Sequence, residues 1–222
     1  MKVGSRMTNV GILLRIFLIF AAFQFFPMTA GAAPKPAEGA ASAAAAAARG
    51  DVYILRGGFG VFSTGLSKLQ TQLKDNGVDA SIVSYQSWRR VAQKIVEHRQ
   101  QHGRTPVVII GHSLGANNTI LIANELKKKG VEVDLIVSYA STAPMTVPSN
   151  VRNVANFYFK SGGWGGVFKG GSGFAGNLDN IDLSTLPGMT HFNVDDSPQL
   201  RDMVVRNVLQ HVRPAKQALD IR

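Results

Sequence analysis

The chain has 222 residues, enough for one domain with a sizeable core plus a terminal segment. It contains no cysteine, which excludes disulfides, thiolate metal sites, cysteine nucleophiles and a lipid-modified N-terminal cysteine. The formal charge is +10, but no arginine-rich run, zinc-ligand spacing or aromatic-interleaved basic strand accompanies it, so no nucleic-acid partner is expected.

Residues 1–32 read as a signal peptide. Lys2, Arg6 and Arg15 supply positive charge, Ile16 to Phe26 is apolar, and Ala30-Gly31-Ala32 is a small-x-small cleavage pattern before Ala33. Arg15 interrupts the apolar stretch and leaves less than the roughly 20 residues needed to span a bilayer. Export to the periplasm or the medium is therefore expected, with no stable membrane span after cleavage. An uncleaved N-terminal anchor is the alternative. Residues 33–50 are alanine-rich with Pro34 and Pro36 and read as a linker.

The ordered domain is expected over residues 51–213, with residues 214–222 as a tail. Val52 to Leu55 is a short apolar strand that runs into the glycine-rich stretch Arg56-Gly57-Gly58-Phe59-Gly60. Leu66, Leu69 and Leu73 share one face of a helix over 64–76, with Gly77 as its stop. A strand at 80–85, a helix at 88–101 and a third strand, Val107 to Ile110, follow. Residues 116–129 are helical and Gly130 closes them. Lys127-Lys128-Lys129 then falls in the last turn, where cations complement the helix dipole. Val133 to Tyr139 is a fourth strand, Val154 to Phe159 a fifth and Ile181 to Leu183 a sixth. An amphipathic helix from Pro198 to His211 ends the domain, with Ser197 as N-cap. The continuous apolar strands and their alternation with helices imply an α/β three-layer sandwich around a mostly parallel sheet of about six strands. The link from Ala140 to Asn150 is too short and proline-broken for a full helix.

Between the third strand and its helix stands Gly111-His112-Ser113-Leu114-Gly115. The G-x-S-x-G pattern is a nucleophile elbow: glycines admit a strained strand-to-helix turn that lifts the serine hydroxyl to a base. A serine needs that base, an orienting acid and an oxyanion pocket. Of the five histidines, His191 lies in a loop after the last strand, at the sheet edge where such folds present catalytic groups. His112 adjoins the nucleophile, so its side chain points away, for packing or substrate contact. His98 and His102 are spaced for a metal but read as a solvated helix end, and His211 as a surface residue. Leu114 offers one oxyanion N–H at a helix N-terminus, and the glycine-rich loop around Phe59 offers the second. The acid is harder to place. Lys160-Ser161-Gly162-Gly163 leaves the strand end before it without a carboxylate, and Asp182 is the expected acid, with Asp179, Asp195 and Asp196 also near His191 in sequence. Asp195 and Asp196 double as N-terminal charges of the final helix. Gly162 to Gly176 carries eight glycines around Trp164, Phe168 and Phe174, either a lid with an acyl-chain contact at Trp164 or a surface loop.

With strand, elbow, helix and late histidine in this order, the chain resembles the α/β-hydrolase superfamily over roughly Asp51 to Arg213. It is most similar to small bacterial lipases, esterases and thioesterase-like proteins without a cap domain. The resemblance implies a trimmed α/β-hydrolase fold, Ser113 as nucleophile, His191 as base, and Leu114 with Phe59 as oxyanion donors. It implies no metal and no organic cofactor, and a small-molecule or lipid-like ester as substrate. Oligomeric state is left open. Three functions follow as alternatives: an exported serine hydrolase acting on an ester or thioester, an acyltransferase using the same serine, and a non-catalytic hydrolase-like binding protein of the cell envelope.

Overall fold

The computed structural model describes residues 50–58, 64–161 and 165–212. The expected signal peptide, residues 33–49 of the linker, Phe59, Trp164 and the C-terminal tail lie outside the described residues.

Alternation of strand and helix produces a six-stranded, wholly parallel sheet. Its strands are β1 (Asp51–Arg56), β2 (Ala80–Ser84), β3 (Val107–His112), β4 (Leu135–Tyr139), β6 (Asn153–Tyr158) and β8 (Asn177–Asp182), in the order β2-β1-β3-β4-β6-β8. The helices are α1 (Thr64–Asp75), α2 (Trp88–His102), α3 (Leu114–Lys128) and α4 (Pro198–Val212). Period-two alternation in the central strands divides the core in two. Val52, Ile54, Val108, Ile110, Val137 and Tyr139 face α1 and α4 with Leu66, Leu69 and Val204. Leu55, Ile109 and Ile136 face α2 and α3 with Ile95, Ile120 and Leu126. That is the expected three-layer sandwich.

β4 passes to β6 without a crossover helix, as the proline-broken link requires. Thr146–Val147 (β5) instead pairs in parallel with Lys169–Gly170 (β7) as a small side sheet. The glycine-rich segment is tied down where it is described. Asn156 Nδ2 donates to the Gly166 carbonyl at 2.9 Å, Asn180 bonds both the N–H and the C=O of Phe168, and the Phe168 ring is buried. Phe168 is thus a core anchor of this segment rather than a group free to form a lid. The edge strand β8 begins at Asn177, four residues before the expected Ile181, because its polar side chains sit where an edge strand meets solvent. Ser197 caps α4 as expected, its Oγ accepting from the Leu200 N–H at 3.4 Å.

The elbow is where sheet and helix approach most closely. A Cβ on Gly115 would lie 2.3 Å from the Leu55 carbonyl oxygen of β1, and one on Gly111 would lie 2.3 Å from the Gly115 carbonyl oxygen. Both obstacles are backbone and have no rotamer by which to yield. Gly115→Ala is therefore expected to destabilise the fold by about 2–3 kcal/mol, read as a lower urea midpoint, whereas Gly103→Ala, in open space but at positive φ, costs about 1 kcal/mol.

Candidate active site

Ser113 sits at φ 57°, ψ −122°, a conformation that an L-residue holds only when its surroundings enforce it. Its N–H donates to the Tyr139 carbonyl at 2.9 Å, which ties the elbow to β4, and its own carbonyl accepts from Ala116 at the start of α3. Gly57, at the end of β1, passes beside it: a Cβ there would come within 2.8 Å of Ser113 Cβ and 3.4 Å of Oγ. The chain therefore leaves β1 close against Ser113. Leu114 opens α3 directly behind Ser113, so its N–H points out of a helix N-terminus, where a developing negative charge is stabilised. Ala140, the only other non-glycine residue at positive φ among the described residues, stands at the end of the adjacent β4. The loop after it is fixed to α3, because Asn117 Oδ1 accepts from Ser141 Oγ, the Thr142 N–H and Thr142 Oγ1.

His191 meets Ser113: its Nε2 lies 3.0 Å from Ser113 Oγ. These residues are 78 apart in sequence, and the pairing of a hydroxyl with an imidazole at this distance is what proton abstraction requires. His191 is 6% exposed. Burial, with His112 beside it, pulls its imidazole from the usual 6.5 down to about 4, so the ring is neutral and able to accept a proton through the neutral pH range. The loop that carries it is braced locally, since Asn193 Oδ1 accepts from the Thr190 N–H at 2.7 Å and Asn193 Nδ2 donates to the Gly188 carbonyl at 2.9 Å.

Two expected roles change. Asp182 is fully occupied in a turn: its Oδ1 accepts from the Ser184 N–H at 2.9 Å and the Lys160 N–H at 3.2 Å. The Ser184 amide and hydroxyl, reinforced by Lys160, hold this half-buried carboxyl below its usual range. It closes the turn after β8 and is not the acid of His191. His112, expected as a substrate contact, is only 2% exposed, and its Nε2 lies 2.8 Å from the carbonyl oxygen of His191. A carbonyl only accepts, so His112 donates, and it serves the backbone of the base rather than the substrate.

Asp195 and Asp196 act on a helix other than the one they precede. Asp195 Oδ2 accepts from the Leu66 N–H at 3.1 Å, and Asp196 accepts from Thr64 Oγ1 at 3.0 Å and pairs with Lys68 Nζ at 2.8 Å. They cap α1, the helix that follows the glycine-rich loop, and leave the start of α4 to Ser197. Away from the site, His98 Nδ1 lies 2.8 Å from Asp51 Oδ2, so that histidine braces the start of β1. Among the described residues no group of three or more His, Asp or Glu side chains is arranged to hold a metal ion, and no helix is long and apolar enough to cross a membrane.

A cavity of about 440 Å³ opens beyond the ends of β4 and β6, lined by Thr142, Tyr158, Lys160, Val167 and Lys169 among others. This is the sheet edge at which Ser113 and His191 stand, where open parallel sheets bind ligands.

A family model described as "Thioesterase domain" matches residues 62–155, a span that contains the elbow and ends before His191. No curated protein and no solved structure matches the chain. The parallel sheet and the elbow are features of the α/β-hydrolase superfamily, to which the matched thioesterase family belongs. The match supports a hydrolase of the esterase or thioesterase type.

The depressed His191 sets a pH dependence of stability. Between about 4 and 6.5 the unfolded chain binds a proton at this imidazole and the folded chain does not, so stability falls as pH drops through that window. His191→Gln is expected to lose less stability than the unmutated chain between pH 7 and pH 4.5, as measured by urea denaturation.

Proposed function

We propose that the protein is an exported serine hydrolase that cleaves a carboxylic ester or thioester through an acyl-enzyme on Ser113. The observation that carries this reading is the 3.0 Å approach of His191 Nε2 to Ser113 Oγ at a strained elbow. Ser113 Oγ attacks the acyl carbon as its proton passes to His191 Nε2. The tetrahedral oxyanion is held by the Leu114 N–H and by the loop around Phe59. Collapse of that intermediate expels an alkoxide or thiolate, which takes the proton from His191. His191 then draws a proton from water, the resulting hydroxide attacks the acyl carbon, and Ser113 leaves protonated with a carboxylic acid as product. Export, to the periplasm or the medium, rests on the charged and apolar sequence of residues 1–32.

The full chain, treated with a fluorophosphonate probe, is expected to label on Ser113, and Ser113→Ala is expected to abolish labelling. His191→Ala is expected to slow turnover of a p-nitrophenyl ester and of an acyl thioester by about 10³-fold or more. The acid limb of kcat/KM is expected near pH 4 rather than 6.5, following the depressed base. A folded, unlabelled chain refutes the serine mechanism.

A further inference from the structure

We propose that His112 is the positioning residue of the base: its Nε2–H holds the His191 carbonyl, while Asp195 fixes the far end of the same segment, so that His191 is aimed through its backbone. This rests on the serine-hydrolase reading above.

The geometry of the segment from His191 to Asp195 carries the inference. At one end, the His191 carbonyl receives the His112 donor at 2.8 Å, and the two rings lie 5.2 Å apart, centroid to centroid. At the other end, Asp195 is 3% exposed and accepts the Leu66 N–H. Its backbone lies so close to α1 that a Cβ on Gly65 would come within 2.0 Å of the Asp195 carbonyl oxygen. Five residues are thus pinned at both ends, and the catalytic imidazole is the first of them. His112 is itself immobile, since it closes β3 in register with Tyr139 of β4 and is buried. A misplacement of about 1 Å in a reacting group can cost about 10²-fold in rate, which gives a hydrogen bond to the base's own carbonyl direct kinetic weight.

Electrostatics link the same groups. His112 opposes protonation of His191, and it also draws the Asp195 carboxyl back down against the burial that raises it. The other groups facing this cluster are Asp196 from the 3₁₀ turn, Tyr139 from β4 and Arg201 from α4. Asp195 thereby ties the segment that carries His191 to the start of α1.

The test measures fluorophosphonate labelling rate and p-nitrophenyl ester kinetics of the full chain across pH for His112→Phe, His112→Gln and Asp195→Asn. His112→Phe keeps a ring but loses the donor, and is expected to slow labelling about 30-fold or more and lower kcat with KM little changed. His112→Gln retains an N–H donor and is expected to recover to within about 5-fold of the unmutated chain. Asp195→Asn keeps an acceptor for Leu66 and is expected to slow labelling less than His112→Phe does. Should His112→Phe fail to fold, His112→Leu takes its place: slower labelling with KM little changed, recovered in His112→Gln, supports the positioning role, and labelling as fast as that of the unmutated chain overturns it. If the unmutated chain labels and a folded His112→Phe labels as fast, the positioning role is overturned and the serine mechanism stands. If the folded unmutated chain does not label, both are overturned.

Discussion

The site depends on one backbone constraint, the positive φ of Ser113. A strand that simply continued into a helix would leave this hydroxyl against the sheet. The reversal at Ser113 raises it instead and starts α3 with a free-standing N-terminus behind it. Such a conformation costs of order 1–3 kcal/mol and persists only when neighbouring contacts over-determine it. Here they do. Gly111 and Gly115 let the turn close until backbone meets backbone, and the Ser113 N–H is held by Tyr139. Replacing either glycine removes the space, so the constraint reaches from the nucleophile into β1 and β4.

Burial then decides the chemistry of the base. An exposed imidazole is half protonated near pH 6.5, whereas His191 is depressed to about 4. Desolvation favours the neutral ring, which is the form that can accept the Ser113 proton, but it also withholds support from the imidazolium that forms during attack. In the proposed mechanism, placement therefore carries more of the work than proton affinity. A base of low affinity must be held at the right distance, and the segment that bears it is pinned at His191 and again at Asp195.

Much of this was legible in the sequence, for physical reasons that differ by element. Buried parallel strands such as Val107 to Ile110 announce themselves as unbroken apolar runs, and Leu66, Leu69 and Leu73 mark the buried face of α1. The pairing of Ser113 with His191 was legible because the elbow has a local signature and His191 follows the last strand. β8 was largely hidden, since Asn177 to Asn180 interleaves polar residues at a sheet edge and has no apolar period. The roles of the carboxylates were hidden for another reason. Asp182 stands at the end of a strand, as an acid would, but a nearby serine and a strand-end amide offer its carboxylate closer donors than any distant imidazole. Asp195 and Asp196 look like charges for the helix that follows them, and only tertiary packing brings the start of α1, about 130 residues earlier, to their side chains. No local pattern encodes that contact, although a small residue at Gly65 is its trace in the sequence.

The adjacency of His112 and Ser113 explains how two consecutive residues serve opposite sides of one base. Strand alternation places His112 on the same face as Val108 and Ile110, the face covered by α1 and α4 and crossed by the segment that carries His191. A regular strand would send the next side chain to the opposite face, toward α2 and α3. The turn at Ser113 interrupts that alternation and carries the hydroxyl over the sheet edge, so it meets the His191 ring while His112 meets the His191 carbonyl. Strain at the nucleophile and the hydrogen bond behind the base are thus consequences of the same break in strand geometry. Relaxing the elbow would displace both partners of His191 together.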